Sequence, residues 1–251
     1  MKINVITIFP DLFKGFISES LLARAQKKRL LKIKTHDLRQ WTTDKHKTVD
    51  DRPYGGGVGM VLKIEPIYKA VQAISYKQYA IGKNKTGLKP KAYNLKQRII
   101  LLSAKGKTFI QKDARRLVKY DQLIFICGRY EGVDERVAKY VADEEISIGS
   151  YVLFGGEVAA MVVIEAVSRL IPGVVAKEES VKNESFSDKE AEEKEYPQYT
   201  RPEVFRPAIV GRRSIIDRKK DWKVPRVLLS GDHKEIGEWR RKYGKQLVSK
   251  K

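Results

Sequence analysis

Apolar residues in this chain fall into short runs separated by longer stretches in which they recur at helical spacing. The runs at 2–9, 98–103 and 122–127 are rich in β-branched residues and end in turn residues or a helical pattern, which predicts buried strands; 144–148 forms a shorter fourth. Between them, 11–29, 65–75, 109–120 and 134–141 read as amphipathic helices. Strand alternating with helix implies a mostly parallel sheet with helices on its faces, an α/β fold. Residues 158–171 form a further helix that is apolar nearly all round (Val158, Ala159, Ala160, Met161, Val162, Val163, Ile164). Such a helix needs more than one burying surface, and a subunit interface is a reasonable second one.

After Pro172-Gly173 the pattern breaks. Residues 177–195 hold eight acidic and four basic side chains with no apolar period, the composition of a mobile linker or of a loop ordered only by ligand. Farther on, Val227-Leu228-Leu229 precedes Ser230-Gly231-Asp232, and Asp232 with Glu235 forms a capping-box pattern that opens a terminal helix at 233–246.

Two glycine-rich turns each follow an apolar run: Cys127-Gly128-Arg129-Tyr130-Glu131-Gly132, and Ile148-Gly149-Ser150-Tyr151-Val152-Leu153-Phe154-Gly155-Gly156-Glu157. Glycines at the carboxyl ends of strands let backbone groups approach a ligand closely. Neither turn carries an obvious nucleophile, so the pair reads as a cofactor cradle.

Familiar nucleotide motifs fail on spacing. Gly82 and Gly87 are spaced as in a phosphate-binding loop, but Leu88 stands where lysine is required; Gly106-Lys107-Thr108 has Leu101 in place of the first glycine. The cluster Gly55-Gly56-Gly57-Val58-Gly59 does not have dinucleotide-binding spacing. His36, His46 and His233 are too scattered for a metal cluster or a triad, and the single cysteine, Cys127, excludes an internal disulfide framework and a Cys-rich zinc site.

Charge changes the picture more than composition does. Fifty-one Lys and Arg against 31 Asp and Glu give a formal charge of +20, which favours polyanions through counterion release. Residues 77–98 hold seven basic side chains and no acid, and 206–226 hold eight basic against two acidic, with Tyr and Trp interleaved. Basic tracts of this kind suit phosphates and exposed bases. No secretory leader is apparent at the start, and no apolar stretch reaches spanning length, so a cytoplasmic protein without a membrane partner is the expectation.

Several blocks, in order, resemble the TrmD family of bacterial tRNA (guanine-N1)-methyltransferases. They are Ile8-Phe9-Pro10; Thr48-Val49-Asp50-Asp51-Arg52-Pro53-Tyr54-Gly55-Gly56-Gly57 with Gly59-Met60; residues 127–136; residues 147–153 with Gly155-Gly156-Glu157; Ser168-Arg169 with Ile171-Pro172-Gly173-Val174; Tyr199-Thr200-Arg201-Pro202; and Val227-Leu228-Leu229-Ser230-Gly231. The resemblance covers roughly the first 175 residues well and the remainder in islands.

This resemblance implies a SPOUT methyltransferase fold, with a deep trefoil knot in the sheet domain (1–176), an acidic linker (177–198) and a small helical, tRNA-binding C-terminal region (199–251). It further implies S-adenosylmethionine held by Gly128, Ile148, Gly149, Ser150, Tyr151, Val152 and Leu153, with Tyr130, Glu131, Gly155 and Gly156 nearby. The reaction would be methylation of N1 of guanosine at position 37 in the tRNA anticodon stem-loop, carried out by a homodimer. Arg169 matches the family's catalytic arginine. The family's general base is an Asp, but Glu184 stands there in this chain and Asp188 is a nearby substitute. Ala104 replaces a usual proline, 206–223 reads as an insertion and the C-terminal tail is short. These departures leave open a noncatalytic RNA-binding SPOUT protein, or a SPOUT methyltransferase acting on another RNA. Mg²⁺ is compatible with carboxylates and phosphates, but no dedicated metal cage is apparent.

Overall fold

A computed structural model describes residues 1–80, 95–175, 196–206 and 221–246. The chain divides into two compact units, Met1–Glu178 and Glu179–Lys251.

The first unit begins with strand β1 (Lys2–Thr7), a 3₁₀ turn (Pro10–Phe13), helices α1 (Lys14–Ser18) and α2 (Ser20–Lys27), and strand β2 (Lys32–Asp37). Two short strands, β3 (Asp50–Asp51) and β4 (Val61–Leu62), pair antiparallel before helix α3 (Ile64–Ala80). Then come β5 (Gln97–Thr108), α4 (Gln111–Leu117), β6 (Gln122–Cys127), α5 (Glu135–Tyr140), β7 (Glu144–Ser147) and α6 (Gly156–Ser168). The main sheet has the order β2-β1-β6-β5-β7, and every pairing in it is parallel.

Period-two alternation builds a core on each face. On one face Ile3, Val5, Leu123, Phe125, Cys127, Ile100 and Leu102 meet Phe13, Leu22, Ala25, Ala114 and the inner side of α6. Ile6, Ile124, Ile126 and Leu101 point the other way, against Ile67, Ala70, Val71 and Ile74 of α3 and Val137 of α5. The central strand β6 is buried at all six positions, as a strand covered on both faces must be.

The expected parallel sheet is present, with three departures in its elements. The helix expected over 11–29 is broken: Glu19 is extended and Ser20 has φ +54°. An unbroken helix would set Phe13 and Leu22, nine residues apart, about half a turn from each other at ~100° per residue, and only one could reach the sheet. The break turns both inward, and both are buried. Strand β2 has no counterpart among the expected strands because it is an edge: in Lys-Ile-Lys-Thr-His-Asp only Ile33 is buried, and polar residues occupy the rest. Strand β5 runs to Thr108 rather than stopping at 103, its register against β7 jumping from Leu102 opposite Ile146 to Lys107 opposite that same residue. Gly106 permits this return, since a Cβ there would sit 2.5 Å from the Ile146 backbone nitrogen.

In the second unit, β8 (Val204–Phe205) pairs antiparallel with β9 (Trp222–Lys223), a 3₁₀ turn spans Arg226–Leu229, and helix α7 (His233–Gln246) follows. The Asp232 carboxylate accepts from the N–H groups of Lys234 and Glu235, as the capping pattern implies. Trp239 packs its ring against Tyr196, Tyr199 and Tyr243. The described residues of this unit thus include a strand pair beside the helix. No helix among the described residues is long and apolar enough to cross a membrane.

Candidate functional site

The two glycine-rich turns meet at the carboxyl edge of the sheet. β6 ends at buried Cys127, and the Gly156 N–H at the start of α6 donates to the Gly128 carbonyl at 2.9 Å. That contact needs glycine at 156: a Cβ there would lie 2.9 Å from Cys127 Cα and 3.2 Å from Gly128 N, both backbone atoms. A bridge between Arg129 and Gly155 extends the seam.

Within the first turn, Gly132 N–H donates to the Arg129 carbonyl at 2.9 Å, and Tyr130 is held in the left-handed region at φ +58°. A bulky residue there costs about 1–2 kcal/mol, so the surrounding bonds must impose the shape. Those bonds come from the segment before α3: Glu131 N–H donates to the Met60 carbonyl and Leu62 N–H to the Gly132 carbonyl, each at 3.1 Å. The glycine loop 55–59 therefore stands beside the first turn, with Tyr54 fully exposed at its start. In the second turn, Ser147 Oγ donates to the Gly149 carbonyl at 3.0 Å, and the Tyr151 hydroxyl donates to the Ile148 carbonyl at 3.1 Å.

Between the turns lies a cavity of about 300 Å³. Its lining includes Gly128, Tyr130, Glu131, Ile148, Gly149, Tyr151, Val152, Leu153, Gly155 and Gly156, ten of the eleven residues expected around a cofactor. Ser150 is exposed and outside the lining. Leu101 to Lys105, where Ala104 sits, and Val133, Ala138 and Ile146 also line the cavity. The lining therefore combines apolar side chains with the turns' backbone polar groups, the usual make-up of a small-molecule site. Carboxylates outnumber cations: Glu131, Glu135 and Glu145 line it against Lys105 and Arg129. Lys105 is further matched by Glu135 at 3.3 Å, and Arg129 by Glu157 at 2.8 Å.

Arg169 stands at the opposite end of α6, its N–H donating to the Glu165 carbonyl at 3.1 Å. That is roughly 20 Å from Gly156 at ~1.5 Å per residue, and Arg169 is not part of the lining. Glu184 and Asp188, the two candidate bases, lie outside the described residues, as does most of the linker and of 206–223. Among the described residues no group of three or more His, Cys, Asp or Glu converges as a metal site. Burial pushes the Cys127 thiol well above its usual range, the Glu157 charge adding to the effect and Arg129 opposing it, which disfavours the thiolate form.

Sequence reasoning missed the polar cluster behind the turns. Glu157, 1% exposed, accepts from Thr7 Oγ1 at 2.7 Å and from Arg129 Nε at 2.8 Å. The available signal was a carboxylate placed between Gly155-Gly156 and an apolar helix, where a charge must find partners.

The family model described as tRNA (Guanine-1)-methyltransferase TrmD matches residues 1–251. A tRNA (guanine-N(1)-)-methyltransferase of Endomicrobium trichonymphae is 47% identical over 240 residues, covering 96% of this chain and 92% of that protein. Proteins of the same name from Carboxydothermus hydrogenoformans and Dictyoglomus turgidum are 48% and 47% identical over 242 residues, covering 96% of this chain and 82% and 84% of theirs. With the family model spanning the whole chain and relatives this similar over nearly all of it, the chain belongs to the tRNA (guanine-1)-methyltransferase TrmD family.

Proposed function

We propose that this protein transfers a methyl group from S-adenosylmethionine to N1 of guanosine at position 37 in tRNA. The observation that carries the reading is the cavity between the two glycine turns, in which carboxylates outnumber cations. Carboxylates repel a phosphate-bearing nucleotide but suit a cationic nucleoside such as a sulfonium. A volume of about 300 Å³ lined by apolar side chains and backbone polar groups fits an adenosine-sized ligand. Leu102, Ile146, Val133 and Ala138 would pack the base; groups of Ile148, Gly149, Tyr151, Val152 and Leu153 would orient it, and Glu131 would face the positive end.

The bound donor supplies an already electrophilic methyl group, so the protein's tasks are alignment and proton removal. Glu184 is the favoured base for the guanine N1 proton, with Asp188 the alternative, and Arg169 would stabilise charge developing on O6. Arg169 is set apart from the cavity within one chain, and a site shared by two copies would bring it to bear. Support for two copies comes from α6, where Val158 and Val162 are exposed at 55% and 44% while the helix's other face is buried, and from neighbouring Leu12 and Phe9, also exposed. The excess positive charge favours the tRNA backbone, and the target base would be extruded from the anticodon loop. The two registers of β5 against β7 suit the close chain crossings of a SPOUT knot. Mg²⁺, whose ligands are hard oxygens, would be held by carboxylates and tRNA phosphates. A cytoplasmic location accords with the substrate.

Methyl transfer to transcribed tRNA with guanosine or adenosine at position 37 tests the reading. Methylation of the first transcript alone, at N1, is expected; methylation of neither, by protein that binds both donor and RNA, would make the chain a noncatalytic RNA binder, and methylation elsewhere would point to another RNA target. In single-turnover assays Glu184→Gln should slow transfer by about 10²-fold or more and Asp188→Asn should not, since general-base catalysis is worth that much. The reverse pattern would move the role to Asp188.

A further inference from the structure

The buried cluster behind the turns joins three segments distant in sequence. Glu157, the second residue of α6, uses one carboxylate oxygen for Thr7 at the end of β1 and the other for Arg129 in the first glycine turn. Thr7 Oγ1 in turn accepts from the Phe9 N–H at 2.9 Å. Arg129 stretches across Gly155 so closely that a Cβ there would lie 2.3 Å from its Nε. Its guanidinium sits 4.7 Å above the Phe9 ring, and Nη1 donates to the Phe154 carbonyl at 3.4 Å. Gly155 and Phe154 belong to the second turn, so one side chain bonds to one turn and originates in the other.

Burying an ion pair is a poor way to gain stability, because desolvating both charges offsets most of their attraction. Its geometric effect is larger. Carboxylate and guanidinium are both planar and directional, and Glu157 has both oxygens engaged, so Arg129 is fixed in one direction. The separation of the two turns, hence the width of the cavity, follows from that direction.

We propose that Glu157 is a positioning residue for the methyl donor: through Arg129 it sets the spacing of the two glycine turns that grip S-adenosylmethionine. Glu157 itself does not line the cavity, and it acts through Arg129 rather than on the reacting atoms. The inference rests on the reading of the cavity as the donor's site.

Calorimetric titration of S-adenosylmethionine into the wild-type protein and into Glu157→Gln, Arg129→Lys and Thr7→Val, combined with methyl-transfer kinetics, tests it. Arg129→Lys keeps the charge and loses the directional Nε–H, and Thr7→Val removes one partner of Glu157 at nearly constant volume. The dissociation constant and KM for the donor should rise by about tenfold or more in Glu157→Gln and Arg129→Lys, and less in Thr7→Val. At saturating donor, kcat of Glu157→Gln and Thr7→Val, whose side chains lie outside the cavity lining, should stay within about threefold of wild type, and their KM for tRNA should not move. Should Glu157→Gln fail to fold, Arg129→Lys and Thr7→Val decide the matter. Folded variants with unchanged donor affinity, or a loss of kcat with no change in the donor's KM, would overturn the proposal while leaving the cavity's assignment intact. Absence of donor binding in the wild-type protein would overturn both.

Discussion

Gly156 and Arg129 show how single positions decide what the cavity is. Gly156 lies where α6 meets the end of β6, and its missing side chain leaves the only room for the contact with Cys127 and Gly128. Replacing it with Ala would push two backbones apart, at about 1–3 kcal/mol for overpacking of this kind. The expected result is a folded protein whose affinity for S-adenosylmethionine falls by about 10²-fold, because the cavity's two walls separate. Equal affinity in Gly156→Ala, measured by titration, would show that the contact is not what shapes the site. The glycine positions were legible in the sequence because each glycine-rich turn directly follows an apolar run. Arg129 and Glu157 were not, since their pairing depends on a contact across 28 residues that no local pattern encodes.

At the scale of elements, the central strands could be read and the edges could not. β6 is recovered at the expected bounds, 122–127, because burial on both faces makes it continuously apolar. β2 was invisible because an edge strand carries polar residues by necessity, and the break at Ser20 because helical period alone does not say which residues must face the same sheet. The other edge, β7, is fastened by charge. Glu144 accepts from Arg98 Nε at 2.9 Å and from Arg116 through both nitrogens at 2.9 and 2.7 Å. Burial alone would raise the Glu144 pKa, but the bonds from Arg116 and Arg98 outweigh it, and the net shift is below the ordinary value of 4.5. A carboxylate lowered on folding contributes stability that is complete above its unfolded pKa and is lost as pH falls through the lower folded value. Glu144→Gln should therefore cost about 1–3 kcal/mol at pH 7 in urea unfolding, with the gap to wild type closing under acid conditions. A gap independent of pH would mean that the charge on Glu144 is not what fastens β7.

For the whole molecule, charge and an unfinished apolar face carry the account. A formal charge of +20 implies that tRNA binding weakens steeply with salt, log K falling linearly with log salt concentration at a slope of about −0.7 to −0.9 per phosphate contacted. A flat salt dependence would contradict a phosphate-led mode of binding. The outward face of α6 should close by self-association: Val158→Asp with Val162→Asp is expected to shift the protein from dimer to monomer in sedimentation equilibrium, and an unchanged mass would place the interface elsewhere. The family is established by likeness over the whole chain, and the cavity at the seam of the two glycine turns is the proposed site of the methyl donor. Amide hydrogen exchange with and without S-adenosylmethionine addresses that location most directly. Exchange in residues 128–132 and 148–156 should slow when the donor is present. Protection confined to other segments, in protein shown to bind the donor, would contradict that location.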